Sequence, residues 1–544
     1  MTALPQADIV LLNGPVYLGL KEGYASAAAL WAGRVLATGA PSDMEPLIGP
    51  TTKVVDLNGR LATPGFYEAH LHLLPLGLTM SELDVRPRFI RTLDDMLKLI
   101  ARRAREIKPG EWILARGYDH FELDVKRHPH RTELDAAAPN NPVYVVRACG
   151  HLAVANSFAL KLAGVDERTP VPAGGAIEQV NGSLTGLMAE NGRDSLQKVI
   201  PDPTDEELVA AIERAGRYCN SFGVTSVMDA AVGIRSQMRE VKAYRTARRT
   251  QRLPVRTNMC LLGGHKGIVA ECFAEGLVTG EGDDWLSVGP VKIFTDGSAG
   301  GRTAAMSAPY LGEPETNGIF CLTDAEMDAL TRDYHDKGYQ LAVHAIGDAA
   351  IEQTLNAMES ALAASPDPER RHRIEHCGFN SAEQIARMVR LGIEPTPQPV
   401  FIYDFGDLYR SVLGDERPAA SYPMRDWIAA GLKPAASSDA PVCDVNIFPN
   451  LYTMLTRKTS RGVVIGREQA LNIHEAIAAY TDFGAFVNKA ERTRGRLLPG
   501  MLADVAVFSR DLTTATPEHI LHETRVDLTI LDGKIVHDAT GEAS

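Results

Sequence analysis

Residues 64–73 read PGFYEAHLHL, and how they are interpreted decides the rest of the chain. The apolar run predicts a β-strand ending in two histidines one residue apart, His70 and His72. Successive strand side chains point to opposite faces, so these two imidazoles point the same way. Two readings fit: a polar strand end with chance spacing, or two ligands for one metal ion. His-x-His alone is a weak signal, so the rest of the chain must decide between them.

Seven further short apolar runs follow: VTSVMDA (224–230), VRTNMCLL (255–262), VGPVKIFTDG (288–297), YQLAVHAIGD (339–348), RHRIEHCG (371–378), GIEPTPQP (392–399) and LKPAASSDAP (432–441). Segments between them carry helical periodicity, among them DAEMDALTRDYHDKG (324–338) and SAEQIARMVRLG (381–392). Eight strand–helix repeats predict a (β/α)8 TIM barrel over residues 63–494, with an open doubly wound sheet as the structural rival. The barrel is favoured because ionisable residues fall at the strand C-termini, the end where barrel sites gather. Those ends offer His70 and His72, then Lys292, His344, His376 and Asp439.

Four imidazoles and a carboxylate suit Zn²⁺ or a similar first-row metal. Each residue also has a plain alternative. A lone strand-end histidine usually makes an ordinary hydrogen bond, and Asp439 could cap the turn after it. Lys292, costly to bury alone, could pair with Asp296. All six at the same strand ends, in this order, favour the metal.

The chain ends differ in texture. DIVLLNG, AAALWAGRVLATG and TKVVDLNG near the start, and ADVAVFSRD and VDLTILDGKIVH near the finish, are short strands with Asn-Gly and Asp-Gly turns. Residues 1–62 and 495–544 are therefore expected to meet as one composite β-sandwich. Residues 75–203 are too long and too structured for a loop, and are expected to form an inserted α+β subdomain over the barrel mouth.

Of 544 residues, 45% are hydrophobic and 23% charged, an ordinary globular balance. A net charge of -13 argues against nonspecific nucleic-acid binding. Seven cysteines without a Cys-x-x-Cys pair predict reduced thiols. The start lacks a signal-peptide pattern, and no run approaches the roughly 20 apolar residues that span a bilayer. The expectation is a cytoplasmic protein with a small-molecule substrate and neither nucleic-acid nor membrane partner; homo-oligomerisation is left open.

The ordered pattern His-x-His, Lys, His, His, Asp resembles the amidohydrolase superfamily of metal-dependent hydrolases. RGYDHFELDVKRHPHRTELDAAAPNNPVYVVRACGHLAVANSFAL (116–160), GGAIEQVNGSLTGLMAENG (174–192) and VKIFTDGSAGGRTAA (291–305) resemble its YtcJ-like branch, which includes N-substituted formamide deformylase. The resemblance covers nearly the whole chain. It implies that His70, His72 and Asp439 hold the more buried metal. Lys292, carboxylated at Nζ, would bridge it to a second ion on His344 and His376; a single ion with an unmodified lysine is the other form. The usual Asp two residues before the first histidine is here Glu68. The implied reaction is hydrolysis of an amide, formamide or cyclic-amide C–N bond, with Asp439 as general base and then acid, and His376 or His344 helping with the oxyanion. The alternatives are deamination of an amino-heterocycle on the same scaffold and a non-catalytic metal-binding barrel. Candidate substrate contacts are His151, with Asn156, in GHLAVANS, Arg302 in DGSAGGRTAA, and Phe401, Tyr403 and Tyr409 in TPQPVFIYDFGDLY. Packing of the inserted subdomain against the barrel is an equally good account of these residues. Cys149, Cys377 and Cys443 read as core or wall residues.

Overall fold

The computed structural model describes residues 5–87, 89–147, 152–172 and 175–541. Seven parallel strands run in sequence order around one sheet: β1 Phe66–Leu71, β2 Val224–Val232, β3 Arg256–Leu262, β4 Leu286–Phe294, β5 Leu341–Ala345, β6 Arg373–His376 and β7 Glu394–Thr396. Each connection carries helix, as parallel neighbours require. The helix Asp324–Asp336 starts with a Thr323–Glu326 capping box. The helix Ala382–Leu391 starts with Ser381–Gln384 and ends on left-handed Gly392. Met228, Ala230, Cys260 and Ala342 pack together between the strands.

The sheet curls into a nearly closed barrel, but the expected eighth strand is absent: residues 432–441 have no regular strand structure. They still occupy the gap, because Ala435 N–H donates to Pro395 O at 3.3 Å, Asp439 N–H to His70 O at 2.9 Å, and His72 N–H to Ala440 O at 2.8 Å. The cause is local. Pro434 and Pro441 have no N–H to give a ladder, and Asp439 adopts a left-handed φ of 58°, which no extended strand tolerates.

The two chain ends share a sandwich. A four-stranded sheet holds Arg34–Gly39, Ala27–Trp31, Ile9–Leu12 and Lys53–Asp56. A six-stranded sheet mixes Lys534–Asp538, Val526–Leu531 and Val505–Phe508 with Ala62–Pro64, Val16–Gly19 and Gly23–Ala25. Ile9, Leu11, Leu30, Val505, Leu528 and Ile530 belong to the one core between them. Arg256, at the start of β3, is buried against Asp504 at 2.7 Å and ties barrel to sandwich.

Residues Leu78–Glu207 form a compact unit of their own. Its six-stranded sheet runs from Gly175–Val180 through Ser183–Glu190, Leu152–Ala155, Val143–Arg147 and Ile113–Tyr118 to Leu83–Asp84. The helix Leu93–Glu106 buries Leu93, Met96 and Ile100 in its core. Among the described residues, no helix is long and apolar enough to cross a membrane.

Candidate metal centre

His70 is the penultimate residue of β1 and is fully buried; His72 stands just beyond the strand end. Asp439 is brought to them by the hydrogen bonds that seat the irregular eighth segment. His70 Nε2 lies 3.4 Å and His72 Nε2 3.2 Å from the same oxygen, Asp439 Oδ1. His70 Nδ1–H is given to Glu375, whose carboxylate is also gripped by Arg373. Arg373 is in turn fixed to Ala69 O at 2.7 Å and Asn488 Oδ1 at 2.9 Å. Burial alone would push the Glu375 carboxyl up, but Arg373 and His70 outweigh it and hold the group ionised.

With Nδ1 occupied as a donor, His70 Nε2 carries a lone pair facing a carboxylate oxygen. Among the described residues, neither His70 Nε2 nor Asp439 Oδ1 has a hydrogen-bond partner, though both atoms are buried. Two buried electron-pair donors facing one another are costly, and a cation between them removes the cost. The ligand atoms of His70, His72 and Asp439 lie within 4.8 Å of one another, so the donor set fits a small divalent ion. Burial pulls the His70 pKa down, with Lys292 adding and Glu375 opposing, so the neutral, ligating ring is favoured.

The remaining candidates converge on this spot. The ring centroids of His376 and His70 are 4.9 Å apart, and those of His376 and His344 4.4 Å. His376 gives Nδ1–H to Gln398 Oε1 at 2.6 Å, and Gln398 is held by Ser437 Oγ at 2.9 Å. His344 Nε2 donates to Gly297 O at 3.1 Å and faces Asp296 at 3.2 Å. Among the described residues, the other nitrogen of each ring makes no hydrogen bond. Lys292, inside β4, is buried, with Nζ 4.9 Å from the centroid of the Phe294 ring. Burial drags its pKa down while Glu375 raises it, so a neutral amine is more accessible than on a surface lysine. Asp296 does not pair with Lys292 in the way the sequence allowed. It accepts N–H bonds from Ala305, Ile346 and Gly347 instead, joining the loops after β4 and β5. Gly347 must be glycine here, since a Cβ would collide with Ala305 O.

His376 and Asp439 both hold left-handed backbones, φ 65° and 58°. Such conformations cost about 1 kcal/mol or more each and concentrate at functional sites. Only His72 and His344 are open, at 19% and 13% side-chain exposure, so solvent reaches the centre from their side. The amidohydrolase family profile matches residues 53–537. The chain belongs to the amidohydrolase family. This amidohydrolase is 30% identical to the YtcJ protein of Bacillus subtilis, over 97% of this chain and 98% of that one. It is 28% identical to the N-substituted formamide deformylase of Arthrobacter pascens, over 98% and 99%. Among solved structures it resembles an uncharacterized metal-dependent hydrolase from Pyrococcus horikoshii, with TM-score 0.78 and 27% identity over 94% of this chain and 99% of the other. It is therefore a hydrolase of the metal-dependent amidohydrolase superfamily.

The predicted substrate contacts of this amidohydrolase separate. Phe401 is buried and stacks on His376, centroids 6.1 Å apart at 16°. Tyr403 is half-buried and packs edge-on against Tyr452 at 6.1 Å. Tyr409 is buried, its hydroxyl 3.5 Å from that of Tyr422. Arg302 is engaged by Glu313, so its charge is already answered. Asn156 caps the helix Ser157–Leu162 and accepts Val143 N–H at 3.0 Å, a structural role. His151 and Cys149 lie outside the described residues. Glu375, Arg373 and Gln398 escaped the sequence reading. Their only signal was two opposite charges inside the apolar run RIEH. Glu68, the departure from the family pattern, accepts Ser438 N–H at 2.7 Å. Burial pushes its carboxyl up to about 8, against the Ser438 and His70 hydrogen bonds.

Proposed function

We propose that this amidohydrolase cleaves a non-peptide C–N bond, in an amide, formamide or cyclic amide. The observation that carries the reading is the buried lone pair of His70 Nε2 facing Asp439 Oδ1, open toward His72 and His344. His70, His72 and Asp439 would hold a divalent cation, zinc by its donor set. His344, His376 and Lys292, the last carboxylated in a two-ion form, would supply further ligands. When bound, such a cation lowers the pKa of water to about 7 and polarises a carbonyl.

The chain's own groups then do the following. Asp439 accepts the proton of the attacking water and returns it to the leaving nitrogen. Glu375 keeps His70 in the tautomer whose Nε2 lone pair faces the site. His344 and His376 have each spent an N–H on a carbonyl oxygen, which suits them to ligation better than to donating a hydrogen bond to an oxyanion. The relative named as a formamide deformylase supports the formamide end of the substrate range.

The test combines metal analysis with a panel of formamides, N-acyl amines and lactams, products read by mass. The expected result is a metal-containing protein that releases an amine and an acid. Ammonia release from amino-heterocycles in place of amide cleavage would establish the deaminase reading. A metal-loaded protein that turns over none of these compounds would sink both.

A further inference from the structure

A strand that closes a barrel is held by backbone ladders on both sides. Residues 432–441 are not a regular strand, yet they bring Asp439 Oδ1 to 3.4 Å from His70 Nε2 and 3.2 Å from His72 Nε2. Asp439 also sits in a left-handed turn, so a small shift of the segment re-aims its carboxylate.

Two side chains, one from each flank, supply what the ladders do not. On the β1 side, Glu68 lies two residues before His70 and so on the same face of the strand. Its Oε1 accepts Ser438 N–H at 2.7 Å. On the other side, in the turn after β7, Gln398 Nε2 donates to Ser437 Oγ at 2.9 Å, and that hydroxyl donates on to Pro397 O at 2.9 Å. Among the described residues, the backbone reaches its flanks only at the two ends of this stretch. Ala435 N–H reaches Pro395 O at 3.3 Å, and Asp439 N–H reaches His70 O at 2.9 Å. Glu68, Gln398, Ser437 and Ser438 are all fully buried, where a hydrogen bond is stronger than at the surface. Gln398 Oε1 meanwhile accepts His376 Nδ1–H at 2.6 Å, so one side chain ties that ring to the segment bearing Asp439.

We infer that Glu68 and Gln398 are positioning residues that clamp Ser437 and Ser438 from opposite flanks and so set the aim of the Asp439 carboxylate. The inference rests on the proposed role of Asp439 as the base at this same centre. A misplacement of about 1 Å can cost a reaction about 10²-fold, so the clamp matters more to turnover than to folding.

The test compares three variants of the full-length protein with the parent, all loaded with Co²⁺. Glu68→Met keeps the length of the arm and removes the acceptor, whereas Glu68→Gln keeps both. Ser437→Ala removes both bonds on the β7 side and leaves Gln398 on His376, held also by Thr396 O at 3.3 Å. On a formamide that the parent hydrolyses, E68M and S437A should lower kcat about 10²-fold with KM within about twofold, and E68Q should stay within about threefold of the parent. The cobalt d–d absorption should shift in E68M and S437A and coincide with the parent's in E68Q. Thermal midpoints read alongside separate aim from folding. A lower midpoint with an unchanged cobalt spectrum and kcat would make the role merely structural and overturn the inference. So would an E68Q that behaves like E68M. If E68M does not fold, S437A decides by the same readouts. Shifted cobalt spectra in variants of a parent that cleaves no formamide would count against the proposed reaction alone. Parental turnover in both E68M and S437A would count against the clamp alone, and a parent that takes up no cobalt would overturn both.

Discussion

At His70 the position of one proton decides what the ring can do. Glu375 takes Nδ1–H and so leaves Nε2 as a lone pair facing the candidate cation site. Replacing Glu375 with Gln keeps the shape but loses the charge, and should weaken metal affinity about 10- to 100-fold in a chelator-competition assay. Asp439→Asn should retain metal while turnover falls roughly 10²- to 10⁴-fold, because an amide accepts no proton from water. Lys292→Ala should lower the metal content per chain; a ratio of one ion in both proteins would mean the single-ion form. The ligand candidates were legible because histidine, lysine and aspartate at strand ends are costly unless used. Glu375 was half legible, as a charge inside an apolar run beside Arg373. The engagement of Arg302 by Glu313 was not, since that pairing depends on how the intervening loop folds back.

At the scale of elements, the irregular segment after β7 carries most of the burden. Asn450, buried on the helix Ile447–Thr456, donates to Ser437 O at 2.8 Å and to Tyr480 Oη at 2.6 Å, and accepts Val400 N–H at 2.7 Å. It thereby fixes both the segment bearing Asp439 and the start of the helix bearing Phe401. Asn450→Leu leaves these groups buried without partners and should cost about 2–3 kcal/mol in chemical denaturation. Metal content should fall with it. The seven regular strands were readable from short apolar runs between helical stretches. The eighth was readable as a position but not as a conformation. LKPAASSDAP has strand length, yet its prolines and the left-handed turn at Asp439 replace ladder bonds with bonds from side chains such as Ser437 Oγ to Pro397 O at 2.9 Å.

At the scale of the whole molecule, a histidine pair remote from the candidate site contributes to the response to acid. Leu341 N–H donates to His372 Nδ1 at 3.0 Å, His372 Nε2–H to His335 Nδ1 at 3.0 Å, and His335 Nε2–H to Ser365 O at 2.7 Å. This chain of donors works only with both rings neutral. Burial sets the His372 pKa well below its usual 6.5, with His335, Arg370 and Lys489 pushing the same way. Below that value the unfolded chain binds a proton that the folded chain excludes, so stability declines as pH falls. The slope contributed by this residue approaches about 1.4 kcal/mol per pH unit. Urea midpoints between pH 7.5 and 5.5 should show the decline, and His372→Gln should flatten it.

The sandwich that closes the two termini together also imposes an order of events during synthesis. Ala62–Pro64 runs through Gly65 directly into the strand that ends in His70, and its antiparallel neighbour is Val505–Phe508. The first imidazoles are therefore made long before the strand that anchors their approach. A truncated chain stopping short of Val505 is expected to bind less metal than the full chain, even with every candidate ligand already in it.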